Sequence, residues 1–308
     1  VIISASRRTD IPCYYSEWLL NRLREGFVLT RNPMNYSQIS KTFISPELVE
    51  CIVFWTKDAK NMLPYLNEID KLGYRYYFQY TLTPYGREIE KNLRDKEEII
   101  KAFIELSEKI GREKVVWRYD PIIVDEFMTA DWHKKKFQYL CSRLADYTEN
   151  VTISFVDNYR KLGKRAKQNV SENDMLEIGR FVGETAKSFG MKAKICCEQI
   201  DLSEFGVDMG GCIDREVLEK ICGPLNIKQD KTQRTGCLCV ESVDIGAYNS
   251  CLNGCDYCYA NHGFAAVERN VQRHNQRGAL LVGEVAEGEI IRERKIKIHD
   301  MNFGKMKL

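Results

Sequence analysis

Along its first 225 positions the chain alternates short β-branched or aromatic runs with longer stretches in which apolar residues recur every three or four positions. Short runs of Val, Ile, Tyr and Phe suit strands buried on both faces, and the longer period suits helices that lay one face on a sheet. The strand-like runs fall at 1–6, 27–30, 51–56, 75–81, 115–119, 151–156 and 192–197. Seven such runs separated by helical patterns predict βα units around a parallel sheet, an α/β fold of TIM-like barrel type, partial or complete.

The helices carry their own punctuation. Asp95 with Glu98 reads as a capping box before the stripe Ile99, Phe103, Leu106 and Ile110, and Gly111 ends it. Asp131 is read as the cap of a helix that turns Phe137, Leu140, Cys141 and Leu144 inward. Ser171 caps a third, with Met175, Ile178 and Val182 on its apolar face and a close near Gly190. After about residue 225 the alternation fades into Gly, Asp, Asn and Cys. The chain is therefore divided into a βα barrel domain, 1–225, and a cysteine-rich segment with a C-terminal arm, 226–308, packed on the barrel. The stretch 290–298 alternates apolar with basic residues and is read as an edge strand or exposed arm.

In a parallel barrel the loops after the strands share one rim, so polar groups at strand ends converge. Here the first run ends in Arg7, Arg8 and Asp10, the second in Thr30, Arg31 and Asn32, and the third in Lys57. The later runs end in Gln79, in Arg118 and Asp120, in Ser154 and Asp157, and in Glu198. These rim candidates mix cations with carboxylates, and no one of them stands out as catalytic. Arginines suit bidentate binding of carboxylate or phosphate, so a small anionic molecule is the expected occupant.

Composition narrows the setting. With 308 residues, 44% of them hydrophobic, the chain can bury one substantial core. No apolar run approaches the roughly 18–20 residues needed to cross a bilayer, and the opening lacks the basic-then-apolar order of a signal peptide. A soluble, cytoplasmic protein is expected, with no membrane partner. The net charge of +2 gives no global attraction to nucleic acid, and the basic cluster Arg160, Lys161, Lys164, Arg165 and Lys167 is read first as a solvated face.

The chain has twelve cysteines, crowded between 196 and 258. Without a secretory pattern, metal binding is the better reading than disulfides. Cys251, Cys255 and Cys258 are spaced C-x₃-C-x₂-C with Tyr257 just before the third thiol. Soft thiolates at this density suit an iron–sulfur cluster or zinc. Zinc would want a fourth ligand, and Cys237, Cys239 or His262 lies near enough in sequence to supply one. Cys237 or Cys239 could equally complete a fully ligated cluster or form a second metal hook. Cys196 and Cys197 end a strand, where alternation sends one inward and one outward. Cys13, Cys51 and Cys141 look like small buried hydrophobes.

The run Cys251-Leu-Asn-Gly-Cys255-Asp-Tyr-Cys258 resembles the radical S-adenosylmethionine signature. That resemblance implies a 4Fe–4S cluster on the three cysteines, with S-adenosylmethionine chelated by the fourth iron. It also implies a small-molecule substrate at the rim and a cellular one-electron donor such as flavodoxin or ferredoxin. Tyr257 and Tyr259 would pack over the cluster or adenine, or simply shield it. Only 50 residues follow Cys258, so the cluster loop must fold back onto a barrel built before it. A second resemblance spans nearly the whole chain: Ser-Ala-Ser-Arg-Arg-Thr-Asp at 4–10, Phe-Trp-Thr-Lys at 54–57, Trp-Arg-Tyr-Asp-Pro at 117–121, Ser-Phe-Val-Asp at 154–157 and Asp-Ile-Gly-Ala-Tyr at 244–248 are similar to the DUF1848 family of uncharacterised bacterial proteins. Three functions follow as expectations: a radical S-adenosylmethionine-like enzyme, a barrel protein with a fully cysteine-ligated structural or redox 4Fe–4S cluster, and a zinc-stapled nucleic-acid-binding or repair protein.

Overall fold

A computed structural model of the chain describes residues 1–156 and 170–299. Its strands are β1 (Ile2–Ala5), β2 (Phe27–Asn32), β3 (Asn35–Phe43), β4 (Cys51–Thr56), β5 (Tyr76–Thr81), β6 (Val115–Ile122), β7 (Asn150–Phe155), β8 (Lys192–Cys196), β9 (Val207–Gly210), β10 (Val243–Asp244) and β11 (Ile290–Glu293). Its helices are α1 (Ile11–Tyr14), α2 (Ser16–Glu25), α3 (Leu66–Lys71), α4 (Lys96–Ile110), α5 (Ala130–Leu144), α6 (Glu172–Ser188), α7 (Arg215–Cys222) and α8 (Phe264–Gln272).

Eight strands form one sheet in the order β10-β1-β4-β5-β6-β7-β8-β9, and every neighbouring pair is parallel. Six of the seven expected runs lie in it. The second does not: β2 pairs antiparallel with β3, and β11 adds to β3 in a separate three-stranded sheet. A short apolar run states that a strand is buried but not which sheet buries it. Arg31 consequently leaves the rim and pairs with Glu289. The 290–298 stretch contributes its first residues as β11, an edge strand as expected. β10 enters the main sheet beside β1, so that sheet draws strands from both sides of residue 225.

The strands are buried on both faces, as their unbroken apolar runs require. On β4, Ile52 and Phe54 join the large outer core under the helices, while Cys51 and Val53 face an inner core. On β6, Trp117 and Tyr119 face outward and Val116 inward. The sheet is curled: Tyr77 Oη and Gln79 Nε2 of β5 donate to the Cys212 carbonyl at 3.3 and 2.6 Å, and Cys212 follows β9, four places away in the strand order. The end strands β10 and β9 do not pair. The chain between them spans the gap, with Val240 N–H donating to the Ile213 carbonyl at 3.1 Å.

Helix termini follow their capping residues with two corrections. Asp95 caps α4 through Glu97 N–H, and the Glu98 carboxylate lies beside Arg94, so the reciprocal box does not form. Thr129, not Asp131, caps α5, because its hydroxyl accepts from Trp132 N–H two residues inside the helix that starts at Ala130. Ser171 caps α6 through Asp174 N–H as expected. Among the described residues no helix is long and apolar enough to cross a membrane. The basic residues 160–167 lie outside the described residues.

Candidate functional site

The polar ends of the inner strand faces open into one chamber of about 440 Å³, within the range of small-molecule sites. Arg7, Arg8, Asp10, Lys57, Arg118 and Asp120 all line it, as do Tyr257 and Tyr259 and the three cysteines of the C-x₃-C-x₂-C run. Gln79 and Glu198 do not reach the cavity wall. Gln79 holds the Cys212 carbonyl, and Glu198 accepts from Phe155 N–H at 2.9 Å. Burial raises the Glu198 carboxyl to about 6. Asp157 lies outside the described residues.

The charged groups of the chamber are largely answered from within the fold. Asp10 caps α1 and is buried. It accepts from Cys13 N–H at 3.0 Å, Lys57 N–H at 2.8 Å and Asn253 Nδ2 at 3.1 Å. Desolvation outweighs these donors and raises its carboxyl to about 6. Arg118 pairs with Asp120, which also accepts from Ser154 Oγ. The Arg7 and Arg118 guanidinium groups flank the Trp55 ring at 5.4 and 5.2 Å from its centroid, a cation–π arrangement suited to a partly desolvated wall. Arg7 Nη2 is buried with no oxygen or nitrogen acceptor, and the guanidinium lies beside the Cys239 thiol and the Asp244 carboxylate. Cationic capacity therefore remains on the β1 side of the chamber.

Three groups that the sequence did not single out organise this wall. Asp244, ending β10, accepts from Ser4 Oγ, Ser6 Oγ, Arg7 N–H and Gly246 N–H at 2.7–3.0 Å. A Cβ on Gly246 would stand 2.0 Å from Ser6 Oγ, so only glycine lets the two loops close. Glu90 is buried between Lys57 and Lys96 and also accepts from Tyr257 Oη and Thr83 Oγ1. Burial opposes its charge, but the two ammonium groups prevail and lower the carboxyl to about 2. Trp55 is placed by its Nε1 bond to Ser4 Oγ at 3.0 Å. The signals were present in the quoted motifs around residues 54–57 and 244–248, but their partners lie far away in sequence.

The cysteine run is held to the start of the chain. Tyr15 Oη donates to the Ser250 carbonyl at 2.6 Å, Tyr14 Oη to Asn253 Oδ1 at 2.8 Å, and Asn92 Nδ2 to the Leu252 carbonyl at 2.7 Å. Gly254 turns the loop with φ of 66°. Tyr257 and Tyr259 have protein partners: Tyr257 meets Glu90 and the Lys57 ammonium, and Tyr259 Oη donates to the Arg7 carbonyl at 2.7 Å. Burial pushes the Cys251 thiol up to about 12 and Cys255 well above its ordinary value. As bare thiols both stay protonated, and a cation would be needed to ionise them.

A second group of thiols also lines the chamber. Cys196 and Cys212 have Sγ atoms 2.8 Å apart, and Cys239 lies within hydrogen-bonding reach of both and of Cys237. Cys237 and Cys239 thus meet Cys196 and Cys212. Cys197 also lines the chamber, contrary to strict alternation, because its φ of 61° breaks the strand there. Cys13, Cys51 and Cys141 are buried, in line with a packing role. His133 is buried too; the Ile123 carbonyl can only accept, so Nε2 carries the proton and Nδ1 accepts from Tyr119 Oη. Among the described residues, no group of three or more His, Cys, Asp or Glu side chains is placed so that it could hold a metal ion as it stands, so either set of thiols would have to shift to take one.

Fold and chamber together define an α/β protein with a curled parallel sheet and a polar, thiol-lined cavity at the strand ends. The chain belongs to the DUF1848 family, described as a domain of unknown function, whose model matches residues 2–260. No curated protein matches. Among solved structures, a proposed alpha-L-fucosidase from Bacteroides thetaiotaomicron VPI-5482 is similar at 11% identity and a TM-score of 0.27, over 50% of this chain and 66% of that one. A likeness that weak carries no argument about this chain.

Proposed function

We propose that this chain is an iron–sulfur enzyme of the radical S-adenosylmethionine type, acting on a small anionic substrate that fits the cationic wall of the chamber. The observation that carries this reading is the meeting of Cys251, Cys255 and Cys258 with Arg7, Arg8 and Arg118 in one cavity, although about 240 residues separate the loop from β1. The curled sheet is taken as a partial TIM-like barrel, with the cluster loop folded back on its mouth. The donor set fits the group: three thiols in eight residues suit three irons of a 4Fe–4S cluster. When reduced, such a cluster supplies the electron that cleaves S-adenosylmethionine to a 5′-deoxyadenosyl radical.

The protein's own contribution is binding, orientation and exclusion of water. Arg7 and Arg8 offer guanidinium groups for a carboxylate, either the cosubstrate's or the substrate's. Trp55 and Tyr257 supply apolar walls that shield the cavity. Lys57 is held by Glu90 and acts through its fixed charge near Cys255. The contacts of Cys237 and Cys239 with Cys196 and Cys212 favour an open fourth iron over a fully cysteine-ligated cluster. The electron would come from a small donor such as flavodoxin or ferredoxin.

Anaerobic reconstitution with iron and sulfide, followed by electron paramagnetic resonance of the reduced protein with and without S-adenosylmethionine, tests the reading. The expected result is a cluster signal that the cosubstrate perturbs, with 5′-deoxyadenosine released under reducing conditions. A signal unchanged by the cosubstrate, with no 5′-deoxyadenosine, overturns it in favour of a structural or redox cluster.

A further inference from the structure

We propose that Cys196, Cys212, Cys237 and Cys239 form a second metal site, a closed tetrahedral four-thiolate site for a single ion of the zinc type, separate from the Cys251, Cys255 and Cys258 triad. The inference stands on different residues from the proposed activity and does not depend on it.

The four thiols come from three places in the chain. Cys196 ends β8, and the β8–β9 register sets it opposite Gly210, two residues before Cys212. Cys237 and Cys239 come from the segment that covers the inner face of the sheet. All four are buried, and Cys239 lies within hydrogen-bonding reach of each of the others. Soft thiolates in one buried group suit zinc, which takes four of them in closed structural sites. Around a tetrahedral zinc with bonds of about 2.3 Å, neighbouring sulfurs stand about 3.8 Å apart. The Cys196 and Cys212 sulfurs, at 2.8 Å, would need to part by only about 1 Å to reach that spacing. A four-iron cluster, with an iron beneath each sulfur, would require a wider group, so a single ion fits the compact arrangement better.

The surrounding backbone is arranged to hold these ligands. Gln79 Nε2 fixes the Cys212 carbonyl, Gln229 Nε2 fixes the Cys237 carbonyl at 2.6 Å, and Ile213 N–H donates to Cys239 Sγ at 3.4 Å. Second-layer bonds of this kind orient metal ligands. A Cβ on Gly211 would stand 2.7 Å from the Leu238 carbonyl oxygen and 2.9 Å from Cys239 N, so the two ligand-bearing segments approach as closely as backbone permits. Charge agrees as well. Four thiolates around a dication leave two negative charges, and Arg7 and Arg118 both lie beside this group.

The test uses the full chain, expressed in zinc-supplemented medium and purified without added chelator. The expected result is about one zinc per chain, and after exchange with Co²⁺ the intense sulfur-to-metal charge-transfer and d–d bands of a four-thiolate tetrahedron. Cys239→Ser should lose most of the zinc and leave the iron of the reconstituted triad unchanged. Cys255→Ser should lose the iron and keep the zinc. Should Cys239→Ser fail to fold, zinc-edge X-ray absorption of the unaltered protein still decides, with four sulfurs around zinc expected. The proposal is overturned by a chain that retains no zinc, by a Cys196–Cys212 disulfide in non-reducing peptide maps, by zinc that leaves with Cys255→Ser, by nitrogen or oxygen neighbours in the absorption data, or by iron and sulfide at this site that Cys239→Ser removes.

Discussion

At the scale of single residues, burial decides which charges the fold tolerates and at what pH. His133 is held neutral between Tyr119 and the Ile123 carbonyl, and burial lowers it to about 4. The unfolded chain, with a histidine near 6.5, therefore binds the extra proton first, so this group's contribution is full above 6.5 and is lost as pH falls to about 4. Its size is on the order of 3 kcal/mol. Asp10 and Glu198, both raised to about 6, act with the opposite sign and favour the folded state as pH falls toward their unfolded values. In urea melts compared at pH 7 and pH 4.5, a His133→Gln variant should be less stable at the higher pH and should close most of that gap at the lower one. A gap that is the same at both values would show that protonation of His133 contributes nothing. Glu90 poses the related case of a buried ion pair. Glu90→Gln leaves Lys57 and Lys96 facing a neutral amide and should cost about 3 kcal/mol. That loss is read from the same melts, and a loss under 1 kcal/mol would mean that water screens the lysines after all.

At the scale of elements, close approach matters more than propensity. Gly183 lies in the middle of α6, where glycine is otherwise a poor choice. A Cβ there would stand 2.0 Å from the Phe205 carbonyl oxygen, so the helix packs directly against the turn before β9. Gly183→Ala should destabilise the protein by roughly 1–3 kcal/mol despite alanine's better helix propensity. A thermal midpoint at or above that of the parent chain would show that the turn simply moves aside. The helical stripes were readable from spacing, and the buried Ile99, Phe103, Leu106 and Ile110 of α4 match them. The caps were less so, because Thr129 and Asp131 are both good capping residues and only the first turn's geometry selects between them. The fate of β2 was hidden for a similar reason: its partner β3 is largely polar and gives no strand signal of its own.

At the scale of the whole molecule, two sets of thiols line one chamber at the strand ends of the sheet. A metal on the triad would tie the loop at 251–258 to itself, and one on Cys196, Cys212, Cys237 and Cys239 would tie the covering segment to the ends of β8 and β9, so that metal becomes part of folding. Cys251→Ala, Cys255→Ala or Cys258→Ala should abolish iron incorporation and lower the melting midpoint of the reconstituted protein toward that of the metal-free chain. Cys141→Ala, from the outer core, should keep its iron and lose only packing stability. Iron retained at parental levels in all three loop variants would remove the triad from the site. Of the chamber's wall, the strand-end residues Arg7, Arg8, Lys57, Arg118 and Asp120 were legible in advance, because parallel strands all end on one side. Asp244, Glu90 and Trp55 were not, because each takes its meaning from partners dozens to hundreds of positions away.

What the sequence determined alone is local: apolar runs that must be buried on both faces, helices with one apolar stripe, and three thiols spaced closely enough to share a metal. Each follows from interactions within a few residues, where period and spacing are enough. What only the tertiary structure decided is which distant groups meet. The curl of the sheet brings the loop after β9 under β5, the pairing of β10 with β1 carries the late cysteines to the mouth, and the covering segment delivers Cys237 and Cys239 to Cys196 and Cys212. Those meetings depend on chain closure and packing over the whole fold, and no local pattern encodes them.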